Sequence, residues 1–137
     1  MTKEPLEKWM RYALFVTGPV NFLGALIFMP PFASLRSQFT LPEPHPFYLW
    51  ILSIWIFAFG CCYLYMAITE RRDRIFIAIG AIGKLSFSGL LIAYSAAGTV
   101  PASTAVSGLL DFILGIVFVM WLVTTRDERS SVRQQMI

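Results

Sequence analysis

Four long apolar stretches constrain the fold of this 137-residue chain more than any other feature of its sequence. They cover 12–30, 47–69, 75–98 and 102–125. Each is close to the roughly 20 residues that a helix needs to cross a hydrocarbon core of about 30 Å. Because no water is present at that depth, a helix is the form that satisfies the backbone. With 57% apolar and 14% charged residues, the sequence predicts an all-α, integral membrane four-helix bundle. It forms one domain over 1–137 and carries a polar C-terminal tail at 126–137.

The basic residues indicate the orientation of the bundle. Nine of them flank the apolar stretches on one side, and Arg36 lies on the other. The nine are Lys3, Lys8, Arg11, Arg71, Arg72, Arg74, Arg126, Arg129 and Arg133. Since cytoplasmic flanks carry the excess of lysine and arginine, both termini are predicted to be cytoplasmic. The basic residues form no patch with interleaved aromatic residues, so a nucleic-acid partner is not predicted.

The connections between the apolar stretches are also informative. Pro42, Pro44 and Pro46 predict a stiff, extended strap that enters the second helix. The preceding stretch, 34–40, is compatible with a short interfacial helix. The last two helices are joined by a short connection and are predicted to form an antiparallel hairpin that turns near Gly98.

Metal and cofactor chemistry finds little support in the sequence. The single histidine, His45, lies in the proline-rich connection, so haem, chlorophyll or di-iron ligation within the bundle is not predicted, and neither is a metal site. Cys61 and Cys62 are adjacent, without a CxxC spacing or partner histidines. We expect them to be small buried apolar side chains.

Lys84 and Asp111 are charged residues inside apolar stretches. If the hairpin turns near Gly98, Lys84 lies about 14 residues before the turn and Asp111 about 13 after it, so the two reach similar depths. A lone charge at mid-membrane costs about 2.5–3.5 kcal/mol. We therefore predict an ion pair between them. Asn21, about nine residues into the first apolar stretch, is expected to join the same layer.

Small residues flank these polar positions at helical spacing. The three sets are Gly80, Lys84 and Ser88; Ser107, Asp111 and Gly115; and Thr17, Asn21 and Ala25. Small side chains let membrane helices approach closely, so each polar stripe is predicted to be a packing face. The candidate intramembrane polar site comprises Lys84, Asp111, Asn21, Ser88 and Ser107. Two interpretations remain open: a structural lock that fixes helix register, or a functional layer that floors a headgroup cavity or relays a proton.

These residues resemble the pattern of a family of small bacterial four-span membrane proteins, broadly the DoxX-like group. The matching positions are Asn21 and Gly24, Pro42, Pro44 and Pro46 with Trp50, Tyr63, the pair Gly83 and Lys84, and Asp111. The resemblance covers about 12–125 and departs from the pattern at Leu110, where the family has Asn, and at Phe112 and Ile113. It implies the four-span fold and, with the arginine asymmetry, a bacterial inner membrane, but no particular reaction.

Three functions are compatible with these features. The first is a non-enzymatic membrane protein, either an accessory subunit of a larger complex or a binder of lipid or quinone. The second is a proton-coupled small-molecule transporter that works as a homodimer. The third is an enzyme that modifies a lipid or isoprenoid, with Lys84 or Asp111 as acid or base. A lipid-sized cavity that opens between helices onto the polar layer would favour the third. Membrane lipids are predicted partners in every case.

Overall fold

The computed structural model describes residues 3–39, 41 and 43–135, and helices are its only regular secondary structure within them. The α-helices are α1 (Lys3–Phe28), α2 (Ala33–Arg36), α3 (Pro46–Thr69), α4 (Arg74–Ala96), α5 (Ala102–Ser107) and α6 (Leu109–Gln135). Short 3-10 turns at Pro30–Phe32 and Ser37–Phe39 flank α2.

Four helical segments of the described chain are long and apolar enough to cross a membrane. They are Pro5–Phe28, Pro46–Thr69, Arg74–Ala96 and Ala102–Thr125. The predicted all-α four-helix architecture is confirmed. The first helix begins earlier than predicted, at Lys3, and the last is interrupted at Gly108. It then continues through the predicted polar tail as far as Gln135, while Met136 and Ile137 lie outside the described residues.

Local hydrogen bonds set the ends of α3 and α4. The His45 imidazole Nδ1 accepts the Phe47 backbone N–H at 3.2 Å, and so caps the start of α3. The Asp73 carboxylate accepts the Phe76 N–H at 2.8 Å at the start of α4. Between them, Glu70 adopts a left-handed conformation (φ 57°) that ends α3. Glu70 and Asp73 therefore bound the short link between α3 and α4.

The helices associate as two antiparallel pairs. α1 packs along α3, α4 packs along α5 and α6, and a contact between α1 and α6 joins the pairs. The turn between α4 and α5 includes Gly98 at φ 74°, a conformation that favours glycine, as the hairpin prediction required. Among the described elements, α3 and α4 approach each other less closely than these pairs do. The bundle is therefore open along one side.

The close-packed core lies at the end of the bundle that carries both termini, here called the terminal end. Tyr63 is at its centre, with its ring centroid 5.4 Å from that of Phe76 and 5.6 Å from that of Phe118. The buried residues of this cluster are Leu6, Met10, Ala13, Leu14, Tyr63, Met66, Ala67, Ile77, Ala81, Leu114, Phe118 and Trp121. Because all four long helices contribute, this half of the bundle is fixed by packing.

Polar contacts reinforce the terminal end. Arg72, in the α3–α4 link, forms an ion pair with Glu7 of α1 at 2.8 Å. The Glu7 carboxylate also accepts the indole N–H of Trp121 on α6 at 3.1 Å. Arg11 and Glu70 form a second ion pair at 2.5 Å. Each exposed pair contributes little by itself, but together they connect α1, the link and α6.

A buried arginine organises the opposite, loop end. The Arg36 guanidinium donates to the carbonyls of Ile27 and Met29, at 3.4 and 3.3 Å, and pairs with Glu43. It therefore satisfies carbonyls at the C-terminal end of α1. Thr104 of α5 donates to the Phe39 carbonyl at 2.7 Å. The connection from α2 to α3 is thus attached to both helix pairs.

The connection between α1 and α3 is partly helical. Residues 34–39 form α2 and a 3-10 turn, so the helical character expected for 34–40 is present, but Thr40 lies outside the described residues. Pro44 lies in a stretch without regular structure that leads to Pro46 at the start of α3. Pro42 is also outside the described residues.

The prediction for the two cysteines was wrong. Cys61 and Cys62 are free thiols exposed on the outer surface of α3. The buried face of this helix instead follows Gly60, Tyr63 and Ala67, at the helical spacing of three and four residues. The apolar run of α3 has no polar face to indicate which side is buried, so the sequence could not orient the cysteines.

Candidate functional site

Lys84 is the centre of a polar layer between the two helix pairs. Its side chain is 7% exposed and forms an ion pair with Asp111 of α6. The ammonium nitrogen also lies 3.3 Å from the amide oxygen of Asn21 on α1. The structure thus confirms the predicted buried pair and brings Asn21 to it. One polar residue from each of three helices meets at one depth.

Asn21 connects the layer to the remaining long helix. Its amide oxygen accepts from Lys84, while its amide nitrogen donates to the Ile56 carbonyl of α3 at 3.2 Å. Both ends of the amide are therefore engaged, and the carbonyl oxygen is oriented toward the ammonium group. Asn21 thus positions Lys84 and also links α1 to α3.

The two serines of the predicted site have different surroundings. The buried Ser88 hydroxyl lies 2.9 Å from the carbonyl oxygens of Lys84 and Gly108, so it bridges α4 and the interruption between α5 and α6. Ser107 is exposed, and its hydroxyl donates to the Thr104 carbonyl at 2.6 Å. Ser88 supports the layer structurally, whereas Ser107 lines the same cavity as Lys84 and Asp111.

Tyr63 belongs to the layer but was not among the predicted site residues. Its side chain is 2% exposed, and the Lys84 ammonium lies 5.9 Å from its ring centroid. The tyrosine crosses the gap between α3 and α4 because Gly80 has no Cβ to obstruct it. The available sequence signal was a glycine one turn before Lys84, which leaves room for a large side chain from another helix.

A cavity of about 560 Å³ lies above this layer, toward the loop end. Its floor is formed by Asn21, Tyr63, Lys84 and Asp111. Its walls are apolar and include Val20, Ile27, Leu52, Phe59, Phe87 and Leu91. Phe39 and Leu41, from the connection before α3, also line it. The volume is in the range of small-molecule sites in proteins.

The cavity reaches the outer surface of the bundle between α3 and α4. Trp55 of α3 and Ile79 of α4 both line the cavity, and both are exposed on the outer surface, Trp55 by 62%. Gly83 lies on the same side of α4, and a Cβ built there would meet no described atom within 4 Å. The wide separation of α3 and α4 therefore provides a lateral entrance.

The charges of the floor largely compensate one another. Lys84 is positive and Asp111 is negative, and Asn21 and Tyr63 carry no charge. The Asp111 side chain is 24% exposed and lines the cavity, so the carboxylate is accessible from it. Within the part of the chain that the structure describes, no group of three His, Cys, Asp or Glu residues is placed to hold a metal ion. The arrangement suits a molecule with an apolar body and one polar end.

Comparisons with protein-family models, curated proteins and solved structures found no match to this chain. The resemblance to the DoxX-like group therefore stays a prediction from individual residues. The interpretation of the site rests on its own geometry: a buried ion pair, an amide that orients it, and an apolar cavity that ends on both.

Proposed function

We propose that this chain is an integral inner-membrane protein that binds a lipid or quinone in the cavity above Lys84 and Asp111, as a binding protein or accessory subunit. The observation that carries the proposal is the cavity itself, whose apolar walls end on a buried ion pair. Intramembrane ionisable residues commonly mark such pathways and sites.

The shape and lining of the cavity support an amphiphile as its ligand. The apolar walls would accommodate an acyl or isoprenoid chain by close packing, since a chain that arrives from the bilayer is already in hydrocarbon and gains nothing from leaving water. A polar head would meet Lys84, Asp111 and Tyr63 at the floor. The entrance between α3 and α4 would face the bilayer, which lets a ligand enter without crossing water.

The proposed orientation has both termini in the cytoplasm. It is supported by the nine basic residues that flank the helices at the terminal end, against Arg36 at the other. In this orientation the cavity lies in the outer half of the bilayer, and the close-packed core lies in the inner half.

A second candidate function is an enzyme that modifies a lipid or isoprenoid. The lateral cavity above the polar layer favours it, since a substrate could bring its head to Asp111. Against it, Lys84 and Asp111 are paired directly with each other, so neither side chain is free to act as acid or base on a substrate. The same pairing opposes the proton-coupled transporter. Binding without reaction is therefore the preferred proposal.

The proposal is tested by blocking the entrance without touching the floor. Gly83 lines the cavity and Gly89 does not, although both are on α4 and both are surrounded by open space. The full chain in nanodiscs is irradiated with a diazirine-labelled isoprenoid alcohol, and labelled peptides are mapped for wild type, Gly83→Phe and Gly89→Phe.

We expect labelling of the cavity walls around Trp55 and Phe59 in the wild type and in Gly89→Phe. Gly83→Phe should lose most of it, because the new ring would occupy the entrance. Equal labelling in the three proteins, spread over their outer surfaces, would refute binding in the cavity. Conversion of the probe to a product would instead favour the enzyme.

A further inference from the structure

The Tyr63 side chain is 2% exposed, and its hydroxyl has no hydrogen-bond partner among the described residues. Tyr63 and Gly80 both line the cavity, and the hydroxyl lies against Gly80. Buried hydroxyl groups are normally hydrogen-bonded, because leaving one unsatisfied is unfavourable. The hydroxyl is therefore placed to bond with a molecule in the cavity.

The other floor residues restrict the charge of such a molecule. Lys84 is already paired with Asp111 and contacts Asn21, so two of its three N–H donors are engaged. The Asp111 carboxylate is accessible from the cavity. An anionic head would lie close to this carboxylate in a site of low dielectric constant. Among the described lining residues, no unpaired cation is placed to offset the repulsion between the two negative charges.

On this basis we propose that the cavity selects an amphiphile whose head is an uncharged oxygen, which accepts a hydrogen bond from the Tyr63 hydroxyl. This inference rests on the proposed function and adds the chemistry of the ligand to it. A carbonyl oxygen accepts from Tyr63 and from the remaining N–H of Lys84. An alcohol accepts from Tyr63 and donates to Asp111. Phosphorylated lipids are disfavoured.

The test uses three probes that share one isoprenoid chain: farnesal, farnesol and farnesyl phosphate. Each is titrated into nanodiscs containing the full chain, and the bound fraction is measured by native mass spectrometry. The variant is Tyr63→Phe, which keeps the ring in its packing against Phe76 and Phe118 and removes only the hydroxyl. The matched control is Tyr65→Phe, which alters an exposed tyrosine of the same helix.

In the wild type, we expect farnesal or farnesol to bind at least about tenfold more tightly than farnesyl phosphate. Tyr63→Phe should weaken the neutral probes roughly two- to tenfold and leave the phosphate unchanged. Tyr65→Phe should change neither. Preference for farnesal identifies a carbonyl head, and preference for farnesol identifies a hydroxyl head.

Three results would overturn the inference, and they differ in whether cavity binding survives. If the phosphate binds as tightly as the neutral probes, the proposed head chemistry is wrong. It is also wrong if Tyr63→Phe does not change binding of the neutral probes. In both cases, cavity binding stands as long as Gly83→Phe still blocks binding. If all three probes bind equally to wild type and Gly83→Phe, the cavity is not the site, and the proposed function fails with the inference.

Discussion

The hydroxyl of Tyr63 on α3 lies where a Cβ on Gly80 of α4 would stand. This contact brings a large side chain from α3 across to α4 and places it at the floor of the cavity. It depends on one glycine, and it connects the packed core of the terminal end with the polar layer.

Gly80→Ala is therefore expected to displace Tyr63 and to destabilise the protein by about 1–3 kcal/mol, as overpacking does. Thermal unfolding in one detergent measures the change. Gly89→Ala is the control, because its Cβ would meet open space, and it should be neutral or slightly stabilising. Tyr63→Phe in the Gly80→Ala background should restore part of the loss. Equal unfolding temperatures for the two alanine variants would contradict the contact.

Lys84→Met is expected to destabilise the protein by roughly 3 kcal/mol, because it leaves the Asp111 carboxylate without its cation. Asp111→Asn should have a similar effect by leaving Lys84 unpaired. The double variant should be more stable than either single variant, since no uncompensated charge remains. Reversible unfolding in mixed micelles measures the cycle, and strictly additive losses would argue against the pair.

Asp73→Ala is expected to cost about 1 kcal/mol, because the carboxylate caps α4 by accepting the Phe76 N–H. Asp73→Asn keeps a side-chain oxygen at the same position and should retain most of the stability. Thermal unfolding of both variants against wild type gives the comparison. A loss of the same size in both would point to the charge of Asp73 and away from the cap.

Arg36→Lys is expected to loosen the connection that closes the loop end of the cavity. A lysine keeps the charge but cannot reach Glu43 and the carbonyls of Ile27 and Met29 together, as the guanidinium does. Hydrogen exchange of 28–39 should become faster. Glu43→Gln alters only the exposed partner and should have a smaller effect. Unchanged exchange in Arg36→Lys would show that other contacts hold this segment.

Much of the site followed from counting residues along two predicted helices. Lys84 and Asp111 are nearly equidistant from Gly98, so an antiparallel hairpin had to bring them to one depth, and the expense of isolated charges favoured their pairing. Asn21 could be added because its distance from the start of its apolar stretch matched that of Lys84. Such reasoning fixes depth, but it does not fix which direction a side chain points.

Direction is where the sequence-based predictions were least reliable. Cys61 and Cys62 were expected to be buried and are exposed. Tyr63 was recognised only as part of a family pattern. In each case the rotation of an almost uniformly apolar helix decides the outcome, and its own residues do not encode that rotation strongly.

The sequence by itself determined the number of long helices, their approximate bounds and the depth of the charged residues, because length, apolar content and the placement of charges act locally along the chain. Tertiary structure alone decided that the terminal end is close-packed while the loop end encloses a cavity. Tyr63 meets Gly80 and bridges α3 and α4 at the floor of the cavity, and the two helices stay apart beyond it. That fit depends on how four helices rotate against one another.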